Sequence, residues 1–413
     1  PGMLRVGLLI NALCLAGAGC AVNEVIVADE TTLVVSEAPV DESRLLDIGV
    51  VEFASGLREN NDPRKTGVWE EIRLAETKYL SYHLKNTLQG TGHWGAVRVI
   101  PTREAFTDVI VSGSIEQSNG EYVTLDIRVE DAAGRHWYDR TYKTQTGVTS
   151  FSDRRDRRLD PYQKVFNDIA NDLHAFATGL PPKQLEQTRQ VSELRFFADM
   201  SPLAYGEHLG TDDDGIAAVV RLPAENDPTV ARLRQIRERD RLVIDTLNEH
   251  YANFYYGIAI PYRNWRKVSR QEAVAFREVR RSARLQTLVG VVVLAGALAA
   301  ETDNTSSRRQ YRTNRALQNL AISEGLNRII GGIQRSNEAE SHIAAIGELS
   351  ESFGAQAAPM VVNVEGQERR LTGTAQAQYD SWRRLLREIY QSETGFTQTV
   401  DVGVPARTNA GSQ

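Results

Sequence analysis

YVTLDIRVED, residues 122–131, is the stretch whose reading decides the fold. Val123, Leu125, Ile127 and Val129 alternate with Thr124, Asp126, Arg128 and Glu130. Successive side chains of a strand point to opposite faces, so this alternation predicts a half-buried strand with its aliphatic residues inward. Just before it, SNGE (118–121) reads as a hairpin turn, and DVIVSGSIEQ (108–117) as the strand that feeds it. Val109, Val111, Gly113 and Ile115 share one face of that feeding strand. Just after it, DAAGR (131–135) makes a second turn and HWYDRTYKT (136–144) a third strand. The three together predict an antiparallel meander.

Working outward, the pattern changes to α/β. LLDIGVVEF (45–53) is an apolar run of strand length, bounded by a polar Gly/Asn/Asp/Pro loop at 55–67. From Val68 the spacing of Ile72, Ala75, Tyr79 and Tyr82, with Leu80, Leu84 and Leu88 alongside, predicts an amphipathic helix stopped by Gly90 and Gly92. GAVRVIP (95–101) is a further strand. DPYQKVFNDIANDLHAFATGL (160–180) opens with proline in its first turn and predicts a helix that buries Val165, Phe166, Ile169, Leu173 and Phe176. The order is strand, helix, strand, meander, helix.

The residues IGVVEF, LSYHLKNTLQGTGHWGAVRVIP, DVIVSGSIEQSNGEYVTLDIRVEDAAGR and DPYQKVFNDIANDL in that order resemble small periplasmic lipoprotein domains related to the amino-terminal domain of TolB. The lipoprotein activators of penicillin-binding proteins and the core of the curli secretion lipoprotein are similar in the same way. The resemblance covers about a third of the chain. It implies a small mixed-sheet domain over 45–180 and a non-enzymatic role in envelope assembly, docking or activation. The long alternating hairpins with which the curli-type relatives span a membrane have no counterpart here, so a β-pore is not expected.

The first twenty residues suggest a compartment. Arg5, an apolar run from Val6 to Leu15 broken by Asn11, and small residues Ala16–Gly19 lead to Cys20. A charge, a short apolar core and small residues are the order of a secretory signal. The run is too short for a membrane span, which takes about 20 apolar residues. LCLAGAGC (13–20) resembles a bacterial lipoprotein signal, although Gly17 stands where that pattern usually has leucine. The resemblance implies a signal over 1–19 and diacylation of the Cys20 thiol. With Ala21 rather than aspartate next, it also implies an outer-membrane protein facing the periplasm. The other reading is a buried amino-terminal helix, for which the glycines are poor material. Residues 20–44 then read as a tether, an extended linker or edge strand.

The rest of the chain reads as helical over 181–358, then as a hairpin turning at Glu365-Gly366 plus a helix over 359–395, then as a flexible tail over 396–413. That last helix is expected to pack Tyr379, Trp382, Leu385, Leu386 and Ile389. Within the helical part, 211–228 is expected to be loop. A helix from Thr229 is expected to break or kink at Pro261 and a second to start near Ser269. Helical spacing resumes over 311–333, and 335–355 reads as a weaker alanine-rich helix. The fold class is therefore α+β: a small mixed-sheet domain, then a mainly helical one with a carboxy-terminal hairpin and helix.

Three stretches invite a functional reading. LQTLVGVVVLAGALAA (285–300) carries no charge, and arginines flank it. Either it is a helix packed closely through its small residues, within the fold or between subunits, or it contacts a membrane. Leu285, Gly290, Val292, Gly296 and Ala300 are its candidate contacts. Residues 263–284 carry eight basic side chains against two acidic ones, which reads as a solvated helix face or a contact for anionic lipid or polyanion. HYANFYYGIAIPYRNW (250–265) clusters aromatics. Tyr251, Tyr255, Tyr256, Tyr262 and Trp265 could stack on peptidoglycan or another glycan, or fill a core or an inter-helix seam.

No catalytic constellation is visible. The seven histidines are scattered without a zinc-type pair, and DDDG (212–215) lacks the spacing of a calcium loop. GTGHWG (90–95) follows a helix, the wrong context for a phosphate cradle. The expectation is no metal, no cofactor and no catalytic residues. Net charge of −6 gives no basic domain of the kind nucleic acid requires. The partners expected are membrane lipid through acylated Cys20, other envelope proteins or a second copy of the chain, with a peptidoglycan- or glycan-binding module, or an oligomeric export or pore component built from 285–333, as the alternatives.

Overall fold

The computed structural model describes residues 31–57, 68–103, 105–152, 159–300, 344, 348, 360–364 and 367–394, with the side chains of the long helix described as far as residue 274. The signal reading, Cys20, the helix expected over 311–333, all of that expected over 335–355 except residues 344 and 348, and the tail lie outside them.

The fold is α+β, with a five-stranded mixed sheet in the order β2-β1-β3-β4-β5. β1 (Ile48–Val51) pairs in parallel with β2 (Val97–Ile100) on one side and with β3 (Val109–Ser118) on the other. β3, β4 (Tyr122–Asp131) and β5 (His136–Gln145) form the antiparallel meander. β4 has the expected bounds, and Val123, Leu125, Ile127 and Val129 are buried while Asp126 and Arg128 are exposed.

α1 (Glu70–Gly90) joins β1 to β2, and α2 (Gln163–Thr178) lies beside it on the same face of the sheet. The aliphatic residues of β1, β3 and β4 pack beneath them. β2 returns to β3 by a crossover of residues 101–108, shorter than the dozen or more residues usual between parallel strands. Two features make it possible. The strands it connects past are four residues long, and the crossover passes over Gly49. A Cβ there would lie 2.7 Å from Thr107 Cγ2 and 2.6 Å from Ile100 Cδ1.

The remaining helices build a second core on the opposite face. α3 (Pro182–Met200), the start of α4 (Pro228–Ala300) and α5 (Ala375–Thr394) enclose Phe196, Phe197, Leu233, Leu247, Trp382 and Leu386, together with Ile100 and Ala105 from the sheet side. On α5, Leu385 is half-buried where Tyr379, Trp382, Leu386 and Ile389 are buried. The stretch expected to be loop holds a small hairpin, β6 (Leu209–Thr211) and β7 (Ala217–Val219), closed by Asp212, whose carboxylate accepts the N–H groups of Asp214 and Ile216. β8 (Met360–Val364) and β9 (Gln367–Leu371) pair as expected about residues 365 and 366.

One sequence expectation needs correction. The helix does not stop at Pro261: α4 runs unbroken for 73 residues, roughly 110 Å at 1.5 Å per residue. A proline inside a helix costs about 3 kcal/mol, because it removes one hydrogen bond and crowds the carbonyl four residues back. Here that carbonyl belongs to Gly257, which is exposed, and Ile258, Tyr262 and Trp265 are buried on either side of the proline. Packing across the break outweighs the break.

Packing crosses residue 180: Leu185, Phe254, Ile258, Tyr262 and Trp265 belong to the same core as the sheet. Part of the tether is held against the fold. Asn167 and Asn171, one turn apart on α2, hold extended backbone through Thr31 O at 2.7 Å, Thr32 O at 2.9 Å and the N–H of Val34 at 2.9 Å.

Candidate functional site

α4 reaches the sheet first at its edge. β2 ends the sheet, and an unpaired edge strand is a template for unwanted pairing. Asn248 covers it: its Oδ1 accepts the Val99 N–H at 2.8 Å and its Nδ2 donates to the Val99 carbonyl at 2.9 Å. One amide side chain thus makes both bonds that a neighbouring strand residue would make.

Further along, α4 is clasped to the α/β unit by a dry network of charges and rings. Arg266, about 1% exposed, donates from Nη1 and Nη2 to the two oxygens of Asp160 at 2.8 Å each. Its guanidinium carbon stands 4.1 Å from the ring centre of Tyr262, 4.9 Å from Tyr162 and 5.6 Å from Tyr79. Tyr79 adds its hydroxyl to Asp160 at 2.9 Å. One helical turn back on α1, Glu76 accepts from Tyr262 at 2.7 Å, from Ser118 at 2.5 Å and from Arg73 Nε at 3.0 Å. One turn forward, His83 Nε2 donates to Gln163 Oε1 at 2.9 Å, and its Nδ1 accepts the Tyr255 hydroxyl at 2.7 Å.

The turn between β3 and β4 closes the clasp. Gly120 has φ +78, and a Cβ there would sit 2.2 Å from the Arg266 carbonyl. Only glycine combines that left-handed backbone with so close an approach. Ser269 Oγ donates to the Asn119 carbonyl at 3.0 Å, and the Gly120 N–H donates to the Tyr162 hydroxyl at 2.9 Å.

Electrostatics follow from burial. Burial opposes the charge on Asp160, but the Arg266 guanidinium outweighs it and holds the carboxyl well below the usual range. The same pair keeps Arg266 firmly charged against its own desolvation. Burial pushes Glu76 up, opposed by Arg73 and by the hydroxyls of Ser118 and Tyr262. Burial pushes His83 down, so its ring is neutral at pH 7. Isolated buried ions cost several kcal/mol each, and the bidentate pair with added hydroxyls is the form in which they are tolerated.

The candidate residues of the sequence fall unevenly on this geometry. Tyr251, Tyr262 and Trp265 are buried in the core, so they cannot offer ring faces to a glycan. Tyr255 is half-buried against Tyr79 at 4.5 Å, and Tyr256 alone is largely exposed. A helix turns these rings to different sides, and the cluster fills the seam between α4 and α1, one of the two readings of this stretch. Arg266 and Arg270 of the basic run are likewise buried rather than solvated. Leu285, Gly290, Val292, Gly296 and Ala300 lie on the helical backbone of α4, and their side chains lie outside those described. Among the described residues no helix is long and apolar enough to cross a membrane.

Sequence reading passed over Asp160, Glu76 and Arg266 as a unit. Only the i, i+4 spacing of Tyr262 and Arg266 hinted at a shared face, and nothing local pairs Arg266 with a carboxylate more than a hundred residues earlier. Among the described residues, no group of histidine, cysteine, aspartate and glutamate has the arrangement of a metal site. The clasp is closed to solvent. Comparison with protein-family models, with curated proteins and with solved structures returns no match to this chain.

Proposed function

We propose that this chain is a non-enzymatic, lipid-anchored accessory or structural subunit of a cell-envelope assembly, held by Cys20 at the periplasmic face of the outer membrane. The observation that carries the reading is the clasp. It fixes a 73-residue helix to a compact α/β body. The distal end of that helix is the uncharged segment 285–300. A long helix whose last stretch is apolar and rich in small residues suits contact with a second copy, another envelope protein or the bilayer. The lipoprotein-type segment at 13–20 and the resemblance of 45–180 to TolB-related docking domains support the same role.

Metabolic labelling with a palmitate analogue in a Gram-negative host tests the anchor. The full chain is expected to take up label and to fractionate with outer membranes, and Cys20→Ala to lose both. An unlabelled wild-type chain would overturn the anchor. A photo-crosslinking residue at Val292 tests the arm. Crosslinks to a second copy, to a discrete envelope protein or to lipid are expected, and their absence in intact cells would sink the arm as a contact surface.

A further inference from the structure

A cleft of about 650 Å³ opens between α3, α5 and the crossover 101–108. Its size falls within the roughly 300–1,000 Å³ typical of small-molecule sites. Arg103, Arg195, Arg383, Arg384 and Arg387 line it. Two carboxylates, Asp199 and Asp380, line it with them.

The pairing leaves a cationic surplus. Asp199 accepts from both Arg383 and Arg387, and Asp240 stands 3.6 Å from Arg383 behind it, so the surplus falls on Arg195 and Arg384. Arg103 is taken by Glu130 at the rim. Arg195 and Arg384, exposed on the facing helices α3 and α5, have no carboxylate partner among the described residues. Arg195 donates to the Ala132 carbonyl at 2.7 Å and Arg384 to Ser381 Oγ at 2.9 Å, neutral acceptors that leave most of each five-donor fork free.

The cleft has an apolar side as well. Phe106, Ile110 and Ala198 are half-buried there, and Tyr379 and Ala105 are buried. Arg383 lies over Phe106 at 4.7 Å and Phe196 at 5.3 Å, which fixes its orientation behind them. A surface patch of arginines alone is ordinary solvation. A concave one with surplus charge on two opposed helices and an apolar wall is shaped for an anion that carries a hydrophobic body.

We propose that the α3–α5 cleft binds a phosphoryl group borne on an apolar or aromatic body, with Arg195 and Arg384 gripping the phosphoryl oxygens and Phe106 and Ile110 meeting the body. The planar guanidinium fork matches two oxygens of a phosphate at once, and charge-assisted bonds of this kind are the strong ones. The group's source is either a soluble phosphate ester or the headgroup of an anionic lipid. The site does not depend on the anchor at Cys20 and stands or falls separately from it.

Calorimetry on the full chain with inorganic phosphate and with phenyl phosphate tests the cleft. Phenyl phosphate is expected to bind at least fivefold more tightly than phosphate, and the double variant Arg195→Gln/Arg384→Gln to weaken it at least tenfold. Arg128→Gln, on the open face of the sheet, controls for net charge and is expected to stay within twofold. Co-sedimentation with phosphatidylglycerol-containing vesicles against pure phosphatidylcholine separates the sources. Retention on the anionic vesicles that phenyl phosphate displaces assigns the lipid headgroup; binding of phenyl phosphate without vesicle retention assigns a soluble ester. Equal binding by wild type and double variant, or no binding of either probe at millimolar concentration and no selective vesicle retention, would overturn the proposal.

Discussion

Two regions of this molecule treat arginine in opposite ways. In the clasp, Arg266 is dry, bidentate to Asp160 and ringed by three tyrosines. In the α3–α5 cleft, Arg195 and Arg384 are wet and without a carboxylate partner among the described residues. A buried guanidinium with all its charge answered has nothing left to offer a ligand and serves to hold elements together. An exposed one with its charge unanswered adds little to the fold and stays available. Exposure and pairing, more than residue type, separate architecture from binding surface.

The largest effect is expected from cutting the clasp. Arg266→Met should destabilise the chain by about 3–5 kcal/mol, since it strands Asp160 as an unpaired buried charge. Denaturant melts read this directly. The double variant Arg266→Met/Asp160→Asn should lose less than the two single losses added, with a coupling of about 0.5–3 kcal/mol. Strict additivity would mean that the pair is not the lock described here.

Gly120→Ala attacks the same clasp from the backbone. Holding a non-glycine residue at that φ costs about 1–3 kcal/mol, and the new Cβ would push the turn away from Arg266 and weaken the Ser269–Asn119 bond. Loss of stability together with protease sensitivity within α4 is expected. Asn248→Ala should cost a comparable or smaller amount, about 1–3 kcal/mol, by leaving the Val99 N–H and carbonyl without their partner. Its distinctive readout is concentration-dependent self-association through the uncovered β2 edge. A monomeric Asn248→Ala variant would show that α4 shields that edge by bulk alone.

How legible was this in the sequence? The sheet was, because β4 alternates strictly and its period is local. The helices α2 and α5 were too, because their apolar stripes face a single core. The surroundings of α1 were not. Arg73, Glu76, Ser81, His83 and Thr87 are polar and yet buried, because Arg73 and Ser81 bond to the sheet, Thr87 and His83 to α2, and Glu76 and His83 to α4, all distant in the chain. For the same reason Pro261 reads as a break or kink: its local cost is visible in the sequence, while the packing on both sides of it is not. Of the proposed binding cleft, nothing was legible. Its arginines come from three segments separated by up to nearly three hundred positions, and only the fold makes them neighbours.

Acid tests the clasp more gently. His83 is neutral and buried, with its pKa pushed below the ordinary value of about 6.5 by desolvation, against the pull of Asp160. A base whose folded pKa is depressed contributes fully above its unfolded pKa and loses that contribution as pH falls below it. Thermal stability should therefore decline from about pH 6.5 downward, while Asp160, held ionised by Arg266, stays charged through that window. His83→Gln keeps a donor and an acceptor without the titration and should flatten part of the decline. His174 and His250 are also pushed down by burial and carry the rest. An unchanged pH profile in His83→Gln would assign the whole decline to them.

The smallest effect on stability is expected in the cleft, and its smallness is the point. Arg195→Gln/Arg384→Gln removes two exposed cations whose remaining bonds are to neutral acceptors, so folding should change by no more than about 0.5 kcal/mol. The same variant is the one expected to lose ligand binding at least tenfold. The clasp variant Arg266→Met should do the reverse where it still folds, losing stability while the cleft, which Arg266 does not touch, keeps its affinity. If instead the cleft double variant proved strongly destabilising, its arginines would be structural after all. The contrast between answered and unanswered charge would then fail at the place where it makes its functional claim.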